Sequence, residues 1–249
     1  MKSNPLILSL ETATLGGSVF LGQGNDQLAA RLGDPTVSHS NSLLSDIAGA
    51  LEEVGLSLQD VELLACASGP GSFTGLRIGI ATLKALAATL GLPCVGVPTL
   101  QAVAHAAGPS RATVALLPAG RGELFSQMFS VSDDGQVSQV DAAAHVSPAR
   151  LMDKYGALEN ITWAGSGALA QREFLEQQAL ERGIAFHELA GLTTTSVSGW
   201  KVIPEITNLA RHVAALAVQL IHSGKVQSPH SLSAIYVRPS DAELKEQCL

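Results

Sequence analysis

The chain has 249 residues, 46% of them hydrophobic and 15% charged, and a formal net charge of −7 at pH 7. This length is consistent with one large domain or two lobes, and the acidity argues against a chain that binds a nucleic-acid backbone by itself. Three distant cysteines, no signal-peptide pattern and no uninterrupted apolar stretch of roughly 18 residues predict reduced thiols and a soluble cytoplasmic protein without a membrane span.

The first predicted elements form an antiparallel meander. Residues 6–10 are an apolar run typical of a central strand, residues 11–17 form a small polar turn with two glycines, and residues 18–22 return as a second strand. Residues 27–32 are predicted as a third strand. The first turn lacks the glycine pattern that opens a dinucleotide-binding helix, so a Rossmann fold is not expected.

An amphipathic helix is predicted next, over residues 39–54, with Gly55 as its stop. Its apolar positions recur at helical spacing, at Leu43, Leu44, Ile47, Leu51 and Val54.

The stretch over residues 61–97 is predicted as a βαβ-like unit. A buried strand at 61–67 breaks at the Ser68–Gly71 turn, and Ser72 is a suitable N-cap for a helix that Gly91 ends. A second buried strand follows at 94–97. The helix carries a surplus of apolar residues, because Ile78 and Leu86 lie off its main apolar face. Such a surplus belongs either to the core or to a partner surface.

The second half alternates strands and helices, and its strands form a cluster separate from those before about residue 103. Two α/β lobes are therefore predicted. In chain order, the elements are a helix at 100–107, strands at 113–117 and 123–131, a hairpin turn at 133–135, a helix opened by Ser147 and Pro148, a strand at 161–164, a helix at 168–182, a weakly patterned segment at 193–201, a helix at 208–223 capped by Asn208, and an extended piece at 235–238.

Neither a metal site nor a catalytic residue is expected. The seven histidines include no pair at helical i, i+4 spacing, and the cysteines lack zinc-site spacing. Ser72 lies after a strand, as a hydrolase nucleophile would, but it is displaced from the G-x-S-x-G pattern, and helix capping explains it without catalysis.

The glycine-rich turn leaves two interpretations open. In the first, the start of the helix binds an anion or nucleotide near Glu11, Thr12, Gly69, Gly71, Ser72 and Gly75. In the second, the glycines only allow close packing of helix and strand. The Lys-Ser/Thr ending of a Walker A loop is absent, so the pattern alone does not decide.

Several segments together resemble the TsaB (also called YeaZ) family, a subunit of the bacterial machinery that makes N6-threonylcarbamoyladenosine at position 37 of tRNA. They are ILSLETATLGGSVFL, HSNSLL, ASGPGSFTGLRIGIATLKALA and GVPTLQAVA, which lie in order within residues 6–105, with weaker similarity in PAGRGELFSQMF and AIYVRP. The resemblance implies an α/β, actin/Hsp70-like (ASKHA) two-lobed fold with a mixed sheet in each lobe. The lobes would be residues 1–103, with helix 208–223 packing back on them, and residues 104–205, followed by a C-terminal extension at 224–249.

The resemblance also implies a non-catalytic scaffold that pairs with the transferase subunit TsaD and with the ATPase TsaE. Such a subunit contacts tRNA only through the complex and holds no cofactor of its own, with ATP at most at a shared interface. Helices 39–54 and 72–88 would pack against the equivalent helices of the partner, and the same surface can form homodimers. The implied interface residues are His39, Leu43, Leu44, Ile47, Phe73, Thr74, Arg77 and Ile80.

Two departures from the family pattern bear on nucleotide chemistry. Family members usually carry Asp at the position of Glu11, and Asp-Ala where this chain has Pro118 and Ala119. Because proline cannot ligate magnesium, independent ATP hydrolysis is not expected. The alternatives to a scaffold are a nucleotide-binding protein of the same fold and a peptidase-like hydrolase.

Overall fold

The computed structural model describes residues 4–23, 26–189, 197–203 and 206–237. The described residues form two compact units, one from those within Met1–Ala102 and Thr207–Ile235 and the other from those within Val103–Ile206 and Tyr236–Leu249. The elements in chain order are β1 (Leu6–Glu11), β2 (Ser18–Gln23), β3 (Asp26–Leu32), α1 (His39–Glu53), a 3₁₀ turn (Leu58–Asp60), β4 (Leu63–Gly69), α2 (Phe73–Leu90), β5 (Cys94–Pro98), α3 (Thr99–Ala106), β6 (Ser110–Gly120), β7 (Glu123–Val131), β8 (Val137–Gln139), β9 (Ala144–Val146), α4 (Pro148–Tyr155), β10 (Ile161–Ala164), α5 (Ser166–Ala170), α6 (Arg172–Glu181), β11 (Phe186–Glu188), β12 (Trp200–Val202) and α7 (Leu209–His222).

The sheet of the first unit is mixed, in the order β3-β2-β1-β4-β5. β1 and β2 are antiparallel, as are β2 and β3, whereas β4 pairs in parallel with both β1 and β5. The meander and the βαβ unit predicted from the sequence are therefore confirmed. Central β1 is buried along its whole length, which explains its continuous apolar run.

The two faces of this sheet are covered by different helices. Leu8 and Leu10 of β1 belong to the same core cluster as apolar residues of α1 and α2. The alternate residue Ser9 points to the other face, where its hydroxyl donates to the carbonyl of Ala210 in α7 at 2.5 Å. The first unit thus has a helix–sheet–helix arrangement, with α1 and α2 side by side on one face.

Three predicted helix caps are confirmed. The Ser72 Oγ accepts from the Gly75 N–H, the Ser147 Oγ from the Arg150 N–H, and the Asn208 Oδ1 from the Arg211 N–H. Gly91 ends α2 in the left-handed conformation, with φ of 65°. These local sequence signals agree with the structure because each allows otherwise unpaired backbone groups at a helix end to form hydrogen bonds.

The second unit contains a second mixed sheet, in the order β11-β12-β10-β6-β7-β8, with β9 also paired to β7. β6, β10, β12 and β11 run parallel, and β6, β7 and β8 run antiparallel. Its core includes Trp163 and Trp200, whose rings meet edge to face at 5.2 Å. Two α/β units, each with a mixed sheet, form the actin-like fold class predicted from the sequence.

Several predicted boundaries were wrong. The helix predicted over 168–182 is two helices, α5 and α6, that meet at Gln171. Strands β8, β9, β11 and β12 were not predicted, because runs of three residues carry no measurable periodicity. Part of the segment at 193–201 and residue 238 of the last predicted extended piece lie outside the described residues. The described part of that piece forms no strand, although the Ile235 N–H donates to the Ser68 carbonyl at 2.7 Å.

Candidate protein interface

The first residues of α1 and α2 are held together by the turn between β1 and β2. The His39 Nε2 lies 3.0 Å from the Thr14 carbonyl oxygen, and since a carbonyl can only accept, this ring nitrogen donates. The Ser72 N–H donates to the Ala13 carbonyl at 2.8 Å. One turn therefore positions the start of both helices.

Glu11 supports this turn from inside the first unit. Its side chain is 1% exposed, and its two carboxyl oxygens accept from the Thr14 N–H at 2.8 Å and from the Thr14 hydroxyl at 2.7 Å. Burial raises the pKa of Glu11 above its ordinary value, although the two Thr14 hydrogen bonds act against that shift. The acid that the sequence suggested as an anion-proximal residue thus lies buried within the turn.

The glycines of the following turn allow two segments to approach closely. A Cβ on Gly75 would lie 1.9 Å from the Thr12 carbonyl oxygen, and one on Gly79 would lie 2.2 Å from the Thr12 Oγ1. The Thr12 hydroxyl also donates to the Gly75 carbonyl at 2.8 Å. Of the two interpretations left open by the sequence, close packing is the one that this geometry supports.

The backbone amides suggested for anion binding donate hydrogen bonds to other groups of the protein. The Gly69 N–H donates to the Thr99 Oγ1 at 3.0 Å, and the Gly75 N–H donates to the Ser72 Oγ at 3.2 Å. Together with the Ser72 N–H, this commits three of the donors that an anion would need. Among the described residues, no group of three or more His, Cys, Asp or Glu side chains could hold a metal ion.

The predicted interface residues divide into an outer and an inner set. Leu44 is 66% exposed, Thr74 and Arg77 are exposed, and His39 and Phe73 are half-buried. Leu43, Ile47 and Ile80 are 5%, 3% and 7% exposed and belong to the core cluster. These three residues therefore do not lie on the outer surface. Helical periodicity identifies the apolar side of a helix, but it does not show which of those apolar residues the sheet will bury.

The outward side of α2 is unusually poor in charge. A window of 18 residues covering α2 has a mean hydropathy of 1.3, yet only 33% of it is buried. That length and hydropathy would suffice for a membrane span, but α2 packs on the sheet and contributes core residues, which makes it a helix of the first unit. Its exposed residues are Thr74, Arg77, Ala81, Ala85, Ala88 and Thr89.

We define the α1–α2 face as these six residues of α2 with the exposed residues Asn41, Leu44, Ser45, Ala48 and Glu52 of α1 and the half-buried His39 and Phe73. Near the C-terminal ends of the two helices, the face contains a groove of about 560 Å³. The groove is lined by Leu44, Ile47, Ala48, Leu51, Glu52, Gly55, Leu56, Ser57, Leu58 and Leu86. The sequence did not indicate a groove, because its walls come from two helices and a loop.

Comparisons with known proteins point in one direction. The model of the family described as "TsaD: tRNA N6-adenosine threonylcarbamoyltransferase" matches residues 36–237. A protein of Haemophilus influenzae named "tRNA threonylcarbamoyladenosine biosynthesis protein TsaB" is 31% identical over 193 residues, which cover 73% of this chain and 80% of that protein. The protein of the same name from Escherichia coli is 35% identical over 133 residues, and the match spans 52% of this chain and only 57% of that relative's length.

Solved structures support the fold. The structure described as YeaZ from Pseudomonas aeruginosa superposes with a TM-score of 0.70 at 22% identity, covering 93% of this chain and 99% of that one. A second structure, of an uncharacterized protein with similarity to peptidase YEAZ from Pseudomonas aeruginosa, gives a TM-score of 0.74 at 22% identity, covering 94% and 100%.

Proposed function

Because the chain belongs to the TsaB (YeaZ) family, we propose that it is a non-catalytic subunit of the machinery that makes N6-threonylcarbamoyladenosine at position 37 of tRNA. In this role it holds the transferase subunit TsaD in a competent pose and acts in the cytoplasm with TsaE. It contacts tRNA only through the complex and needs no cofactor of its own, with ATP at most at an interface shared with the partners.

The observation that carries this proposal is the α1–α2 face. A third of the residues of the apolar helix α2 are buried, and its exposed residues include three alanines and only one charged residue, Arg77. Exposed apolar surface of this kind is characteristic of protein–protein interfaces. The same face serves self-association when the partner is absent.

Within this face, we assign direct contact to His39, Leu44, Phe73, Thr74 and Arg77, which retain accessible surface. Leu43, Ile47 and Ile80 lie beneath them and fix the positions of both helices on the sheet. Aromatic and arginine side chains such as Phe73 and Arg77 are enriched among the residues that dominate binding energy.

Size-exclusion chromatography of the purified chain mixed with TsaD of the same organism tests the proposal. Co-elution as a stoichiometric complex, together with TsaD-dependent threonylcarbamoyladenosine formation that requires this chain, would support it. Separate elution at micromolar concentrations, or full activity of TsaD without this chain, would contradict it.

A further inference from the structure

The β5 edge of the five-stranded sheet is covered by residues 226–235, which follow α7 and which we call the strap. The Gln227 N–H donates to the Cys94 carbonyl at 3.2 Å, in an isolated antiparallel bridge. The Gln227 Oε1 accepts from the Gly96 N–H at 2.9 Å, where a neighbouring strand would supply a backbone carbonyl. Because an uncovered edge strand can pair with other chains, the strap protects this edge.

Leu232 anchors the middle of the strap. Its side chain is 1% exposed and belongs to the core cluster of the first unit. A Cβ on Gly96 would lie 2.5 Å from the Leu232 Cδ1, so the absence of a side chain at Gly96 leaves the space in which Leu232 packs. The Lys84 Nζ donates to the Leu232 carbonyl at 3.0 Å. The strap is thus attached both to β5 and to α2.

The end of the strap is attached to β4. The Ile235 N–H donates to the Ser68 carbonyl at 2.7 Å. Most residues of the strap are exposed, and so is its connection to α7, which includes Gly224. By contrast, β5 pairs with β4 from Cys94 to Pro98. Segments with few buried apolar side chains open at a lower free energy than strands inside a sheet, so the strap should open before β5 separates from β4.

We propose that the strap opens as one unit from the β5 edge while the rest of the first unit stays folded. In the closed state, Gln227 satisfies the outward backbone groups of Cys94 and Gly96. In the open state these groups are exposed, and the space beside Gly96 that Leu232 fills becomes accessible. The strap is therefore a conformational device that covers or uncovers one edge of the sheet, and the inference does not rest on the proposed function.

Native-state hydrogen exchange of the full chain, followed by NMR, tests the strap. The amides of Gly96, Gln227 and Ile235 form the hydrogen bonds that opening would break. The amides of Val95 and Val97 point the opposite way, toward β4, because successive amides of a strand alternate in direction. We expect the first three amides to share one protection factor, at least about tenfold below that of Val95 and Val97. Urea below the unfolding transition should accelerate exchange at Val95 and Val97 more strongly, because opening of the strap exposes little surface.

Two substitutions separate opening of the strap from unfolding of the whole unit. Ile47→Val, a change in the core face of α1, destabilises the closed and open states equally. It should accelerate exchange at Val95 and Val97 about twofold to tenfold and leave Gln227 and Ile235 unchanged. Leu232→Ala removes the buried anchor of the closed state alone, so it should accelerate exchange at Gln227 and Ile235 about thirtyfold or more.

Three results would overturn the proposal. Equal protection of the strap amides and of Val95 and Val97 would show that the strap opens only when the whole unit unfolds. Unequal protection among Gly96, Gln227 and Ile235 would show separate fraying instead of one opening unit. Acceleration at Gln227 and Ile235 in Ile47→Val that matches the acceleration at Val95 and Val97 would likewise tie the strap to global unfolding.

Discussion

Arg77 places its guanidinium carbon 3.8 Å from the centre of the Phe73 ring, one helical turn earlier in α2. The family resemblance implied that both residues belong to a partner interface, and the structure shows that they contact each other. Such a cation–π pair restricts both side chains before a partner arrives. A partner that binds them therefore loses less conformational entropy than it would with free side chains.

Arg77→Gln should separate the contribution of Arg77 to stability from its contribution to partner binding. Because an exposed cation–π contact contributes about 0.5–1 kcal/mol, we expect the free energy of unfolding in urea to fall by no more than about that amount. Affinity for TsaD should fall by about tenfold or more, as expected for an interface arginine. Arg150→Gln, at an exposed position of α4 in the second unit, should change neither quantity. Unchanged affinity in Arg77→Gln would remove Arg77 from the interface.

Leu44→Glu should abolish co-elution with TsaD while the chain stays folded. The side chain is 66% exposed, so its replacement should alter the free energy of unfolding by only about 0.5 kcal/mol. A carboxylate at the centre of an apolar interface would be desolvated without a partner. Leu180→Glu is the matched control, since Leu180 is 79% exposed in the second unit. Equal co-elution of both variants would reject the α1–α2 face.

Gly75→Ala should destabilise the first unit strongly. The added Cβ would lie 1.9 Å from the Thr12 carbonyl oxygen, so the turn or α2 must move, and we expect a loss of at least about 2 kcal/mol in chemical denaturation. Gly49→Ala is the control, because its Cβ would meet only the Arg31 side chain, at 3.5 Å or more. That change should stabilise α1 by about 0.5–1 kcal/mol. Similar effects of the two changes would contradict the close-packing account of Gly75.

The features predicted correctly from the sequence depend on short stretches of chain. A serine cap, a terminating glycine or an alternating strand is recognisable within a few residues, which is why β1, α2 and their ends agree with the structure. The short strand β12 pairs in parallel with β10, which lies much earlier in the chain, and β11 pairs in turn with β12; local composition does not record either pairing.

The exposure of the proposed interface residues was predicted less completely, for a related reason. Leu43 and Leu44 are adjacent and equally apolar, yet one is 5% exposed and the other 66%. Whether each side chain is buried depends on how α1 packs on the sheet. The sequence pattern does not determine that packing to within one residue. The groove likewise required α1, α2 and the loop between α1 and β4 to be placed together.

Arg121→Asn should stabilise the second unit. Arg121 and Gly122 form the two-residue loop between β6 and β7, and both have positive φ, at 52° and 77°. Asn-Gly suits such a loop, whereas an arginine there is strained. We expect a gain of about 0.5–1 kcal/mol in the free energy of unfolding. Arg111→Asn, an exposed change within β6, should give no gain, and a loss of stability in Arg121→Asn would show that the arginine side chain makes a stabilising contact.

Glu11→Gln should change how stability depends on pH. Burial raises the pKa of Glu11 above its ordinary value of 4.5, so between pH 4.5 and the raised pKa the folded protein retains a proton that the unfolded chain has lost. The free energy of unfolding must then decrease as pH rises through that range, and glutamine cannot titrate. The stability of the unchanged chain relative to Glu11→Gln should therefore fall as pH rises from 4.5 to the raised pKa of Glu11, and level off above it.

Urea denaturation of both proteins at intervals between about pH 4 and pH 8 measures this difference. The groups around the carboxyl set the competing effects: burial favours the neutral acid, whereas the hydrogen bonds from Thr14 and the backbone of Ala13, with the nearby His39, favour the carboxylate. A relative stability that rises with pH would mean that these contacts outweigh burial. Glu11 would then be a charged residue in the folded turn, and the turn that positions α1 and α2 would be held by an ionised acid.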